Sequence, residues 1–154
     1  MPAIIPSLWF SQNNCEEAIH YYLEVFPNSE LESMTFYPDE SLDNHFVGMH
    51  GRVLTAVFTL DGHRFTALDG GPSFTFNEAV SFTIECADQA EIDYYWEKLS
   101  HVPDAEQCGW AKDQFGLSWQ IVPQAIATLT ETPAQIQALM KMKKIDIGTL
   151  MAAR

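Results

Sequence analysis

Positive charge is scarce. Against 21 Asp and Glu, the 154 residues carry only 8 Lys and Arg, for a formal net charge of −13. A nucleic-acid surface tracks phosphates with clustered bases, so this balance excludes that class of partner. It equally disfavours attraction to anionic membranes. No apolar run approaches the ~20 residues that span a bilayer. The first residues, Met1 to Pro6, lack the basic segment and long apolar core of a signal peptide. Cysteine is limited to Cys15, Cys86 and Cys108, with no CxxC pair. That excludes a disulfide frame and implies reduced thiols in a cytoplasmic protein, with Cys86 and Cys108 read as buried. Gly-rich phosphate chemistry is missing as well. Gly70-Gly71-Pro72 has no Lys after it, and no strand-to-helix turn of the dinucleotide or S-adenosylmethionine type occurs.

What remains is an ordinary globular balance, 47% hydrophobic and 19% charged, of one-domain size. The most informative stretch is Cys108–Pro123, CGWAKDQFGLSWQIVP. Two short apolar runs flank Asp113-Gln114-Phe115-Gly116, where Asp bonds its own backbone and Gly accepts positive φ, so the stretch reads as a β-hairpin. Its second strand alternates Leu117, Trp119 and Ile121 against Ser118, Gln120 and Val122. Further strands are expected at Ile4–Phe10, Leu31–Tyr37, Arg52–Leu60, His63–Leu68 and Val80–Cys86, with Asp61-Gly62 as a hairpin turn. Pro38–Met49 reads as a long loop of the kind that serves as a lid or binding loop.

Helices follow two of these strands. Asn14 and Glu17 suggest a capping box ahead of a helix to about Phe26, burying Ile19, Tyr22, Leu23 and Phe26. Asp88 and Glu91 suggest a second, burying Ile92, Tyr95, Trp96 and Leu99. After Pro123 the chain turns helical, with Thr132 as N-cap and Pro133 in the first turn. The segments IHYYLE (19–24) and IDYYWE (92–97) match, and each lies on a helix that follows a strand and precedes others. The pattern is an internal repeat.

The residues LWFSQNNCEEAIHYYLEVFPNS, LTAVFTLDGHRFTALDGGPSFTFNEAVSFTIEC, QAEIDYYWEKL and CGWAKDQFGLSWQIVP, with the terminal MKMKKIDIGTLMAA, carry a likeness over nearly the whole chain. The chain resembles the PhnB-like branch of the glyoxalase/bleomycin-resistance/dioxygenase (vicinal oxygen chelate) superfamily, often labelled demethylubiquinone methyltransferase domain. The resemblance implies an α+β fold of paired βαβββ modules curled around a shared cavity, and a homodimer. The expected organisation is a single domain, 1–154, of two modules, about 1–78 and 79–123, with a helical tail, 124–154. The second module lacks a clear strand between its helix and the hairpin.

Metal-dependent members of the superfamily take His from the first strand of each module and Glu from the last. The resemblance places Leu8 and Phe10, then Ser81 and Thr83, around the first-strand positions, and Gln120 at the Glu position. None is a good divalent ligand. Asp69, ending the fourth strand, is the one acid near such a position. The expectation is a cavity without a tightly held metal and with no cofactor. Phe10, Asp69, Trp110 and Gln120 would face an apolar or aromatic small molecule, with His45 and His50 as loop candidates and Asp69 as a neighbour for Gln120. Literal methyltransferase activity is disfavoured, because no methyl-donor turn is present. The alternatives are a metal-dependent lyase, isomerase or dioxygenase with a divergent site, and a dimeric interaction protein using the Met-containing tail.

Overall fold

The computed structural model describes residues 1–153; Arg154, the last residue of the expected tail, lies outside them. The chain forms two compact units, 1–75 and 76–154. Among the described residues no helix is long and apolar enough to cross a membrane.

The first unit is β1 (Ser7–Phe10), α1 (Cys15–Val25), β2 (Ser29–Phe36), β3 (Val53–Leu60) and β4 (His63–Asp69). Its sheet runs β1-β4-β3-β2, with β1 parallel to β4 and the other pairs antiparallel. β1 starts at Ser7 rather than Ile4, whose side chain is fully exposed and which lies ahead of Pro6, a residue with no N–H to give a ladder. The β3–β4 hairpin turns on Asp61 and Gly62, both at positive φ (48° and 78°), as a type I′ connection demands. Period-2 alternation sends Ala56, Phe58 and Leu60 of β3, Phe65 and Ala67 of β4, and Leu8 and Phe10 of β1 to the buried face under α1. There they meet Ala18, Ile19, Tyr22 and Val25; Leu23 is only half-buried. Phe58 and Phe65 stack across the hairpin at 5.7 Å.

The second unit is β5 (Ser81–Cys86), α2 (Gln89–Leu99), β6 (Trp110–Lys112), β7 (Ser118–Pro123), α3 (Ile126–Leu129), α4 (Pro133–Met140) and α5 (Ile147–Ala152). Its sheet is three-stranded, β5-β7-β6, so this module is one strand short of βαβββ; only a 3-10 turn, Pro103–Ala105, lies between α2 and the hairpin. Asp113 holds that hairpin. Its Oδ1 accepts from the N–H groups of Phe115 (2.8 Å) and Leu117 (3.1 Å), and its Oδ2 from the Trp119 indole N–H (2.9 Å). Ile92 and Leu99 of α2 are fully buried, whereas Tyr95 and Trp96, expected beside them, are half-buried.

The tail is less helical than expected. α4 ends at Met140, and Ile145, outside any helix, is buried together with Leu129 and Leu150. The tail is clamped to the hairpin by Cys108 N–H to Met142 C=O and Gly109 N–H to Lys143 C=O, both 2.8 Å. A Cβ at Gly109 would come within 2.8 Å of Ile145 Cδ1, so this glycine lets the tail close. Cys15 and Cys86 are buried, but Cys108 is half-buried at positive φ, because the clamp fixes its backbone outside any strand.

Candidate functional site

Two polar constellations stand out, one in each unit. In the first, Asp69 ends β4 on the helix-covered face, 2% exposed. Tyr37, 2% exposed just after β2, donates its hydroxyl hydrogen to Asp69, lying 2.7 Å from both Oδ2 and the backbone carbonyl. His45 completes the group from the long loop, its Nε2 2.9 Å from the Tyr37 oxygen and 3.3 Å from the Asp69 carbonyl. With the tyrosine hydrogen committed to Asp69, Nε2 is the donor in that pair, which fixes the tautomer. Burial first, then the Asp69 carboxylate, push the Tyr37 hydroxyl above the ordinary tyrosine range, so it stays a donor.

Asp69 also reaches the helix. Asn14 makes no side-chain cap bond, contrary to the capping-box expectation, and Asp69 Oδ1 receives the Cys15 N–H instead, at a long 3.4 Å. A carboxylate at a helix N-terminus also suits the helix dipole. Burial, then the charges of Asp69 and Glu16, raise the Cys15 thiol to about 12, so it is an inert apolar group rather than a nucleophile. The loop is pinned by Asp39 accepting from Ser41 N–H and Asp43 from His45 N–H, each closing a short 3-10 turn. His50 is exposed on the same loop and stands apart from this group.

Gly70 and Gly71 make room for the flanking rings. A Cβ at Gly70 would overlap the Trp9 ring, and one at Gly71 would lie 2.7 Å from His45 Cε1. Trp9 donates its indole N–H to the Gly71 carbonyl (2.9 Å) and meets Phe74 edge-on at 4.9 Å. The double glycine is therefore a seat for Trp9 and His45. The register of β1 decides which of its residues are available. Leu8 and Phe10 point under α1, and Ser7 and Trp9 occupy the opposite face. Phe10 and Asp69 are thus both turned toward the helix side.

The second constellation lies on the face of the β5-β7-β6 sheet turned away from α2. Pairing sets Thr83, Gln120 and Trp110 in one cross-strand row, and Ser81, Ser118 and Lys112 in the next. Gln120, Trp110 and Ser81 are half-buried and Thr83 is exposed. Gln120 Nε2 donates to Ser81 Oγ at 2.9 Å; its partner is thus Ser81, and Asp69 is bound to Tyr37. The Gln120 carbonyl oxygen and the Trp110 indole N–H find no partner among the described residues, and neither atom is sealed from solvent. Sequence reasoning named Trp110, Gln120, Asp69 and His45 but not Tyr37. The only sign of it was a tyrosine directly ahead of a proline-opened loop.

Neither group implied by the family suits these residues. Around Gln120 the donors are neutral hydroxyls and one amide, which lack the charge or imidazole that holds a divalent ion. Among the described residues no three His, Cys, Asp or Glu side chains gather closely enough to hold one. The strand-to-helix turns, Ser11–Asn14 and Ala87-Asp88, contain no glycine and offer no cradle for a methyl-donor nucleotide.

Residues 2–122 match the family model described as 3-demethylubiquinone-9 3-methyltransferase. The structure is similar to that of the PhnB protein from Bacillus cereus, with 30% identity and a TM-score of 0.64 over 79% of this chain and 99% of that one. It is also similar to the protein PA1353 from Pseudomonas aeruginosa (19% identity, TM-score 0.60, 80% and 98% coverage). In fold alone it is similar to the fosfomycin resistance protein FosX from Listeria monocytogenes (12% identity, TM-score 0.53, 85% and 98% coverage). No curated protein matches. The chain belongs to the 3-demethylubiquinone-9 3-methyltransferase (PhnB-like) family, with the α+β fold of the glyoxalase/bleomycin-resistance/dioxygenase superfamily.

Proposed function

We propose that the protein binds an apolar or aromatic small molecule on the far face of its second sheet, without a tightly held metal. The observation that carries this reading is the Thr83–Gln120–Trp110 row. It offers an indole face, an unpartnered N–H donor and an amide acceptor held in place by Ser81. An aromatic ring beside a few oriented polar groups is a combination that fixes a ligand's orientation in small-molecule sites. Relatives that bind metal through a carboxylate at the Gln120 position would use the same location; a neutral amide there favours hydrogen bonding to the ligand itself. The protein is expected to act as a homodimer, which light scattering at micromolar concentration checks.

Gln120→Leu tests the reading. Loss of one neutral hydrogen bond to the ligand should weaken binding about three- to tenfold. The readout is the ligand-dependent rise in melting temperature across a set of aromatic compounds, since binding to the folded state stabilises by mass action. The unliganded melting temperature should stay close to wild type. An unaltered ligand shift in the variant would place binding elsewhere. Stoichiometric zinc, nickel or manganese in protein purified without chelator, lost together with an activity on chelation, would overturn the metal-free site.

A further inference from the structure

The far face of the second sheet carries a base at one end and an acid at the other. Its β5 residues are Ser81, Thr83 and Glu85, its β7 residues Ser118, Gln120 and Val122, and its β6 residues Trp110 and Lys112. Lys112 is the one base on it, level with Ser118; Glu85 is the one strand acid, level with Val122 at the opposite end. In a chain of net charge −13 an anion is repelled almost everywhere, so the point where a cation meets a ligand platform is informative. The Lys112 side chain is only 26% exposed and is ion-paired to Glu78, whose side chain is 59% exposed in the segment leading into β5. That pairing holds the Glu78 carboxyl below its ordinary range.

Lys112 and Trp110 lie two residues apart on one strand face, so their Cα atoms are about 6.5 Å apart. One ligand can therefore lie against the indole and reach the neighbouring ammonium. We infer that the ligand class is an aromatic or apolar carboxylate, its ring on Trp110 and its anion taken by the Lys112 ammonium in exchange for Glu78. This rests on the ligand-site reading above. Exchange is cheap because the ammonium never goes unpaired and Glu78, already mostly solvated, returns to water. A neutral ligand gains nothing from Lys112, because it leaves the Glu78 pair in place. Glu85 disfavours the reversed orientation.

The test uses naphthalene-2-carboxylate and its neutral analogue naphthalene-2-carboxamide, titrated calorimetrically into the full chain. The carboxylate should bind about fivefold tighter, the scale of a partly exposed ion pair. Lys112→Met should remove that difference and Lys112→Arg should keep it. Glu78→Gln should raise the carboxylate's affinity, because the anion no longer competes with a resident one. Added salt should weaken the carboxylate more than the carboxamide. Equal affinities in the wild type, or a preference that survives Lys112→Met, would overturn the inference while leaving the ligand site standing. If neither probe binds, or if Trp110→Ala leaves both affinities intact, the ligand-site reading fails and this inference with it.

Discussion

Tyr37→Phe isolates the polar group at the end of β4. The change removes one oxygen and leaves the ring, which is packed edge-on against Phe46 at 5.4 Å. The Asp69 carboxylate then keeps only the long 3.4 Å contact from Cys15 N–H, and His45 loses its 2.9 Å partner. A hydrogen bond to a charged group contributes about 1.5–3 kcal/mol. Asp69 is 2% exposed, so water does not readily replace the hydroxyl. The expected loss is therefore about 2 kcal/mol, a fall in melting temperature of about 4–8 °C for a chain of this length. Urea denaturation should show a lower midpoint at unchanged slope. Pairing Tyr37→Phe with Asp69→Asn in a double-mutant cycle should return a coupling of about 1 kcal/mol or more, since the two side chains are in direct contact. A loss below about 0.5 kcal/mol, the range of an ordinary surface substitution, would refute the assignment of Tyr37 as the anchor of Asp69 and of the loop.

Gly70→Ala should destabilise by about 1–3 kcal/mol, because its methyl would overlap the Trp9 ring and force that ring from its seat; a shift in Trp fluorescence should accompany the fall in melting temperature. Thiol labelling at pH 8 should modify the half-buried Cys108 first and spare Cys15 and Cys86 until the chain unfolds. Burial chiefly raises Cys15 and Cys86 from 9.0 to about 12. The folded state holds these protons more tightly than the unfolded state does, so their contribution to stability is complete below pH 9. It declines as pH rises from about 9 to about 12. Urea midpoints measured at pH 8 and pH 10.5 check this, and Cys15→Ala should flatten the decline.

The elements that could be read from sequence are those fixed by neighbours along the chain. Asp61-Gly62 and Asp113–Gly116 carry their turns in their own backbone chemistry, and both hairpins form where that chemistry predicts. Thr132 with Gln135 closes a full capping box. At the second helix, Asp88 accepts from Glu91 N–H as expected, while the Glu91 side chain reaches back to Ala87 N–H. What sequence hid was settled by contacts between distant segments. Tyr37, His45 and Asp69 meet only once β2, the long loop and β4 are all in place. The phase of β1 is different, because its alternation was visible. Leu8 and Phe10 share one face, and as the apolar pair they belong under the helix, with Ser7 and Trp9 opposite. The pairing of Gln120 with Trp110 was legible because a two-strand hairpin places them directly opposite each other.

The two matching helices begin in different ways. α2 finds its first acceptor three residues away, in the Asp88 side chain, so its opening turn can form as soon as that stretch of chain exists. α1 finds its side-chain acceptor 54 residues downstream, at the end of the last strand of its unit. Closing so long a loop costs entropy that only a completed sheet repays. The Cys15 amide therefore gains its acceptor only when β4 is in place, and it reports on whether β4 has docked. Hydrogen exchange at the Cys15 amide should track opening of the first sheet. A Cys15 amide that exchanged through local fraying alone would show that the helix starts without its distant acid.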